Sequence, residues 1–314
     1  MHPWNQSLFE SLKARAGRFP HALLIHGARG TGKLALAEQT AQFLLCEDAA
    51  RRPCGRCEGC RWFIAGSHPD FRRLEPEALA KEPAGDPDDP AEAPAKRAKP
   101  SVQIRIEQVR ELDGFLNVGS HRGRLRVALV HPAEDMNPNA ANALLKGLEE
   151  PPAAAVFLLV AHRPAQLLPT IRSRCVALAV PVPPQEVALR WLAEQGARNP
   201  ERWLAYAGGA PLRALEYAAN ADVLERLLQR PMPVDDRDEL EALADALQKI
   251  ALDRALGAMG LPPKYQTGTI PPDPAKAREW LAYSRAMVER RLLSRHPLNP
   301  KLFSAEMLAS LPSK

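Results

Sequence analysis

The chain has 314 residues, of which 46% are hydrophobic and 25% charged, and its formal net charge is +5. This size and hydrophobic content exclude a small disulfide-stapled scaffold and predict two or three domains. The longest apolar stretch, residues 153–161, is shorter than the roughly 20 residues of a membrane-spanning helix, and residues 1–9 lack a basic and then apolar signal. We therefore expect a soluble, cytoplasmic protein whose mild positive charge permits contact with nucleic acid without requiring it.

A strand, a glycine-rich loop and a helix come first along the chain. Residues 22–26 form an apolar run typical of a strand, and residues 34–45 have helical spacing of apolar side chains. The sequence between them fits G-x-x-x-x-G-K, whose backbone N–H groups and lysine bind nucleotide phosphates in this context. The candidate nucleotide-binding residues are Gly27, Gly30, Thr31, Gly32 and Lys33. The alternative is a glycine-rich turn with a surface lysine.

Four of the five cysteines follow within a short segment, 46–62. They are Cys46, Cys54, Cys57 and Cys60. Four thiolates suit a tetrahedral structural Zn²⁺, whereas disulfides are disfavoured in the cytoplasm and a ferredoxin-type iron–sulfur run would continue with x3-Cys-Pro. Nearby arginines make a DNA-contacting finger conceivable, but no helix of groove-filling length is predicted here, so a structural zinc knob is favoured.

Residues 76–100 are rich in proline and alanine, with an acidic half followed by a basic half. Such a segment has little to bury, and we predict a disordered surface insertion. A regulatory or nucleic-acid-binding arm is the alternative interpretation.

Alternating strand and helix patterns return after residue 102. In chain order they predict a helix at 107–115, a strand at 126–130, a helix at 139–150 and strands at 156–161 and 176–180. Together with the first strand, these elements predict an α/β domain in which helices cover both faces of a parallel sheet.

Two groups that P-loop enzymes use for hydrolysis are replaced in this sequence. The hydroxyl residue expected after Lys33, a ligand for Mg²⁺, is Leu34, and the strand that should end in an acid runs into His131. Glu134 and Asp135 come three residues later, and we interpret them as surface charges. We therefore predict that the loop hydrolyses nucleotide poorly or not at all, and leave binding of ATP or ADP an open question.

Beyond residue 181 the strand patterns end and the sequence predicts helices separated by proline and glycine. The predicted helices are 184–195, 200–206, 211–219, 223–230, 239–259 and 274–295. Many of the 31 prolines stand at their starts, where the missing N–H costs no hydrogen bond.

Several motifs in combination resemble the AAA+ clamp-loader subunits of bacterial DNA polymerase III, over most of the first 215 residues. They are the run His21-Ala22-Leu23-Leu24 before the loop, the cysteine module, His68-Pro69-Asp70, the sequence of 104–112, Asn-Ala-Leu-Leu-Lys at 142–146 leading into Leu-Glu-Glu-Pro-Pro at 148–152, and Ser173-Arg174-Cys175. The last two strings are highly specific together. Gamma/tau members keep the groups that Leu34 and His131 replace, so the resemblance is to the branch that has lost them.

The resemblance implies roles for particular residues. Arg174, with Ser173 beside it, is the candidate arginine finger that reaches the γ-phosphate of ATP in a neighbouring subunit; a surface salt bridge is the alternative. Cys175 is then a packing residue. Arg213 matches the family's sensor arginine, although a structural ion pair is an equal alternative here.

The implied architecture is an AAA+ P-loop NTPase-type domain at 1–180 with a zinc insertion, a helical lid at 181–220 and an all-α collar domain at 221–314. The implied role is in a hetero-pentamer with delta and gamma/tau subunits, which loads the sliding clamp onto primed DNA with ATP. The chain would be a non-catalytic member of a DNA-directed DNA polymerase holoenzyme. The alternatives are an active ATPase of gamma/tau type and a zinc-containing DNA-binding module.

Overall fold

The structure is a computed structural model that describes residues 1–80, 100–117, 125–294 and 298–313. The chain divides into two compact units, Met1–Pro181 and Val182–Lys314. The predicted disordered insertion at 76–100 falls almost wholly on residues 81–99, which lie outside the described residues.

The first unit alternates helices and strands. Its elements are α1 (Gln6–Lys13), β1 (Ala22–His26), α2 (Lys33–Leu45), α3 (Glu58–Ile64), β2 (Phe71–Leu74), α4 (Ile106–Asn117), β3 (Arg126–Val130), α5 (Pro138–Glu149), β4 (Ala155–Ala161), α6 (Pro169–Ser173) and β5 (Val176–Ala179). The predicted α/β fold with a cysteine module is confirmed.

The five strands form one parallel sheet in the order β2-β3-β4-β1-β5. Successive side chains of β4 point to opposite faces, as strand geometry requires. Phe157 and Leu159 belong to the hydrophobic cluster under α4 and α5, and Val156 and Leu158 to the cluster under α1 and α2. Helices therefore cover both faces, and the ends of the strands are left to carry polar groups.

Several short elements were not predicted from the sequence. Strand β2 has four residues with two exposed arginines, because it lies at the sheet edge. The helices α1, α3 and α6 have eight, seven and five residues, too few for a clear apolar period. They matter nonetheless, because α3 carries a cysteine and α6 ends next to Arg174.

The second unit is entirely helical in its described residues. Its elements are α7 (Gln185–Glu194), α8 (Pro200–Tyr206), α9 (Pro211–Ala219), α10 (Ala221–Gln229), α11 (Arg237–Ala258), α12 (Pro274–Leu293) and α13 (Pro300–Ala309). All six helices predicted for this region are present, and α13 is an additional helix that the sequence pattern did not predict. Two hydrophobic clusters fill the unit, one centred on Trp203 and Tyr206 and one on Trp280 and Leu247. Helix α10 contributes side chains to both clusters. The predicted domain boundary near residue 220 stays a prediction.

No helix within the described ranges is both long enough and apolar enough to cross a membrane.

Candidate functional site

The phosphate loop connects β1 to α2 and depends on glycine for its shape. Gly27, Gly30 and Gly32 have φ angles of 149°, 86° and 80°, which L side chains rarely adopt. A Cβ on Gly27 would lie 2.3 Å from the carbonyl oxygen of Val180. The predicted glycines are therefore required by the backbone.

The N-terminal segment, residues 2–5, packs directly on this loop, and no pattern in the sequence predicts this contact. Indole Nε1 of Trp4 and amide Nδ2 of Asn5 both donate to the carbonyl oxygen of Thr31 at 3.0 Å. A Cβ on Gly32 would lie 2.5 Å from the ring of His2. Asn5 is buried, and its amide holds the loop through carbonyl oxygens, so these contacts use none of the loop's N–H groups.

Lys33 is folded back onto its own loop. Its ammonium donates to the carbonyl oxygen of Ala28 at 2.5 Å, and the residue is only 2% exposed. Burial lowers the pKa of Lys33 to about 8, against a raising effect from Glu134 and a further lowering effect from Arg29. The alternative of a surface lysine is therefore wrong, and an anion bound beside this group would raise its pKa toward the ordinary value.

The two replaced positions lie where the sequence predicts. Leu34 packs against the hydrophobic cluster under α2. His131 directly follows β3, and its ring lies 5.3 Å from that of His162, which directly follows β4.

The interpretation of Glu134 and Asp135 as surface charges is wrong. The Glu134 side chain is 1% exposed and that of Asp135 16%. The Glu134 carboxylate accepts from the backbone N–H groups of His162 and Arg163 at 3.0 to 3.1 Å, and the Arg163 guanidinium lies 3.7 Å away. Sequence position alone hides this role, because the donors come from a strand almost 30 residues later.

Arg174 lies between α6 and β5, at the amino edge of the sheet. Its guanidinium pairs with the Glu149 carboxylate at 2.6 Å and donates to the carbonyl oxygen of Thr170 at 3.0 Å. The Ser173 hydroxyl also donates to Thr170, at 3.0 Å. The salt bridge considered from the sequence is thus present, and about a third of the arginine side chain is exposed.

Cys175 packs against the cluster under α4 and α5. Burial raises the pKa of its thiol to about 11, so the thiol stays protonated at neutral pH. This agrees with a packing role.

The four clustered cysteines converge on one point. Their sulfur atoms all lie within 4.8 Å of one another, with Cys46 and Cys57 at 3.9 Å and Cys54 and Cys60 at 4.0 Å. Helix α3 begins here, because Cys57 caps it by accepting from the N–H of Cys60. The cluster can hold a metal ion.

Two environments are present within the cluster. Cys46 and Cys60 are fully buried, and burial raises the pKa of the Cys60 thiol to about 12. Backbone N–H groups of Arg56 and Cys57 lower the pKa of Cys54 to about 6. N–H groups directed at sulfur favour thiolates, the form that binds a cation.

Arg213 belongs to the second unit, on α9. Its Nε donates to the Tyr217 hydroxyl at 3.0 Å and its guanidinium pairs with Glu216 at 2.8 Å. Tyr217 in turn donates to the buried carboxylate of Asp245 at 2.7 Å. The arginine is thus engaged in a structural ion-pair network.

The match to known proteins covers the unit that carries the loop, the cysteines and Arg174. A family model described as "DNA polymerase III, delta subunit" matches residues 4–183. The chain belongs to this family. Its resemblance to DNA polymerase III clamp-loader subunits is confirmed.

Two curated relatives, both named DNA polymerase III subunit delta', illustrate the family. The protein from Pseudomonas aeruginosa is 45% identical over 219 residues, 68% of this chain and 60% of that protein. The protein from Escherichia coli is 36% identical over 220 residues, with the same coverage. The chain thus spans about 60% of the length of the relatives it matches.

The family fold also appears in a solved structure. A crystal structure of a DNA polymerase III gamma subunit-related protein from Thermotoga maritima has a TM-score of 0.52 at 19% identity, and the likeness covers 96% of this chain and 97% of that one. This likeness extends the shared fold to the helical second unit.

Proposed function

We propose that this chain acts as the delta' subunit of a bacterial DNA polymerase III clamp loader. In this role it forms a hetero-pentamer with delta and gamma/tau subunits in the cytoplasm and assists ATP-dependent loading of the sliding clamp onto primed DNA. Family membership and relatives named delta' support the proposal. A relative named DNA polymerase III subunit tau in Escherichia coli, 34% identical over 161 residues, supports gamma/tau-like partners.

The observation that carries the mechanism is the position of Arg174. In a parallel sheet all carboxyl ends lie at one edge, and the phosphate loop follows the carboxyl end of β1. Arg174 precedes the amino end of β5, which pairs with β1. A strand of four or five residues separates the two edges by about 13 Å or more. This separation supports a role for Arg174 at nucleotide in a neighbouring subunit and not at the chain's own loop.

The chain's own loop is proposed to be hydrolysis-deficient. Leu34 has no side-chain oxygen to offer a metal, and it is partly buried against the hydrophobic cluster under α2. His131 stands where P-loop enzymes carry an acid, and the Glu134 carboxylate is engaged by backbone N–H groups. The chain then serves by completing the ring, with residues 181–220 as a lid and 221–314 as a collar domain.

We assign Zn²⁺ to the cysteine cluster. Zn–S bonds of about 2.3 Å in a tetrahedron place sulfur atoms about 3.8 Å apart, close to the 3.9 Å between Cys46 and Cys57 and the 4.0 Å between Cys54 and Cys60. All four positions are filled by protein, as in a structural site.

Metal analysis of the purified chain tests this assignment. We expect about one zinc per chain, lost in Cys54→Ser and retained in Cys175→Ser, the matched cysteine outside the cluster. Iron, or full zinc content in Cys54→Ser, would overturn it.

The function is tested by ATP turnover of a complex reconstituted with partner subunits, clamp and primed DNA. Arg174→Ala should lower DNA-stimulated turnover by about tenfold or more, since an arginine finger contributes about 10³ to 10⁵ at its site. Arg172→Ala, an exposed arginine at the same helix end, is the control. Intact assembly with unchanged turnover in Arg174→Ala would contradict the proposal.

Each of the two alternative functions predicts a different activity of the isolated chain. Magnesium-dependent ATP turnover at ordinary ATPase rates would favour an active ATPase. Salt-dependent DNA binding that is lost in Cys54→Ser would favour a zinc-containing DNA-binding module.

A further inference from the structure

The rings of His131 and His162 meet near the phosphate loop, 5.3 Å apart. His131 follows β3 and His162 follows β4, so both lie at the carboxyl edge of the sheet. Strand β4 pairs with β1, and the N–H of Gly27 donates to the carbonyl oxygen of Ala161 at 3.3 Å. His162 is therefore one residue from a direct hydrogen bond to the loop.

The pair is held in a defined geometry. The two rings are nearly perpendicular, at 83°. Glu134 fixes the backbone of His162 by accepting from its N–H, which makes Glu134 a positioning residue for this ring. Because Glu134 is 1% exposed and engaged by two N–H groups, it holds the strand end and is poorly placed to bind a cation.

The ring nitrogens show which atoms can meet a ligand. Among the described residues, Nδ1 of His131 and Nδ1 of His162 are buried without a hydrogen-bond partner. A buried N–H without an acceptor is costly, so the proton is better placed on Nε2 of each ring. Each ring then carries its N–H donor on Nε2, which is not among the buried atoms without a partner.

The surrounding charge favours neutral rings and an anionic ligand. Burial lowers the pKa of His131 to about 4 and that of His162 to about 2, and Lys33 and Arg29 lower both further. Lys33 and Arg29 thus lie close enough to act on both rings, and the Glu134 carboxylate acts on Lys33. Two cations and two neutral imidazoles beside one carboxylate leave a net positive site, a combination suited to phosphate oxygens. Hard divalent cations prefer oxygen ligands, and Leu34 and His131 supply none at the two expected positions.

We propose that His131 and His162 bind the phosphate end of a nucleoside di- or triphosphate seated in the loop, so that this chain binds nucleotide without Mg²⁺. Lys33 supplies the positive charge and the two imidazoles supply hydrogen bonds in place of a metal ion. The inference concerns the chain's own loop and does not depend on Arg174 or on partner subunits.

Calorimetric titration of the full chain with ADP and with ATP, in EDTA and in MgCl₂, tests the proposal. We expect the dissociation constant of the unaltered chain to agree within about twofold between the two buffers. His131→Ala and His162→Ala should each weaken binding by about tenfold, the value of one charge-assisted hydrogen bond. His131→Gln and His162→Gln keep an N–H donor and should recover part of the loss.

Two further variants separate phosphate binding from structural support. His21→Ala, an exposed histidine at the opposite sheet edge, is the matched control and should bind as the unaltered chain does. His131→Asp restores an acid at the metal position and should make binding depend on Mg²⁺ by about fivefold or more. Thermal unfolding of each variant checks that it is folded.

Three results would overturn the proposal. They are binding by the unaltered chain only with Mg²⁺, absence of binding in both buffers, and unchanged binding in folded His131→Ala and His162→Ala proteins. Each would leave the trans action of Arg174 standing, because that is measured at a neighbouring subunit's site.

Discussion

The two edges of the sheet each carry a positive side chain, but one is buried and the other is partly exposed. At the carboxyl edge, Lys33 is buried on a carbonyl of its own loop. At the amino edge, Arg174 is partly exposed and pairs with a single carboxylate, that of Glu149. The first group is fixed from several sides, whereas the second can exchange its partner at small cost.

This difference matches the two proposed roles, phosphate binding by the loop and action of Arg174 on the phosphate of a neighbouring subunit. A loop held by Trp4 and Asn5 is pre-organised, but the domain has lost groups that P-loop enzymes use in hydrolysis. An arginine in a surface ion pair is available to an incoming anion, because exposed pairs contribute only about 0–1 kcal/mol. The same domain thus keeps a P-loop fold while Arg174, the proposed arginine finger, lies at the opposite edge of the sheet.

The largest expected effect is at Glu134. Glu134→Ala leaves the N–H groups of His162 and Arg163 without their acceptor in a buried region, and should lower the free energy of unfolding by about 2–4 kcal/mol. Glu134→Gln keeps one acceptor oxygen and should cost less. Urea unfolding measures both, and an alanine variant as stable as the unaltered chain would show that the carboxyl edge is less rigid than described.

A smaller effect is expected from the charge of Lys33. Its folded pKa of about 8 lies below the ordinary 10.5, so between these values the unfolded chain binds more protons and stability rises with pH. Lys33→Met removes this dependence. The difference in unfolding free energy, unaltered minus variant, should therefore increase by about 1–2 kcal/mol from pH 8 to pH 10.

Taking the difference between the unaltered chain and Lys33→Met removes the contributions of other titrating groups to the pH dependence. Lys249, whose pKa is also lowered to about 8 by burial, is present in both. A difference that stays flat or falls over this range would mean that Lys33 is not buried as a charged group on its loop.

The smallest effect is expected at the amino edge. Glu149→Gln should change the unfolding free energy by about 0.5 kcal/mol or less, because the pair with Arg174 is exposed. Glu150→Gln, at the exposed neighbouring position, is the control. A loss of several kcal/mol in Glu149→Gln alone would make Arg174 a structural residue and would remove the contrast between the edges.

The sequence was sufficient for features that depend on local pattern. Strand β3 and strand β4 are continuous apolar runs because they are buried on both faces, and proline marks the starts of α5, α8 and α9. The loop glycines predicted the phosphate loop, and the cysteine spacing predicted the four-cysteine cluster. Both predictions were possible because each set of residues lies within a short segment of the chain.

Features built by distant residues were not predictable in this way. Trp4 and Asn5 reach the loop across 26 or 27 residues, and Glu134 meets N–H groups 28 and 29 residues away. The sequence offers a surface salt bridge of Arg174 only as an alternative and names no partner, because which carboxylate an arginine meets depends on where two helices end. The sheet, once formed, brings these groups together.

The position of Arg174 in the assembled complex is the most direct test of the proposed function. A structure of the reconstituted complex with ADP and a fluoride mimic of the transferring phosphoryl group would show it. We expect the Arg174 guanidinium within about 3 Å of the mimic in a neighbouring subunit's site, with its pair to Glu149 released. Arg174 still paired with Glu149 in a fully assembled complex, with another chain's arginine on the mimic, would contradict the proposal.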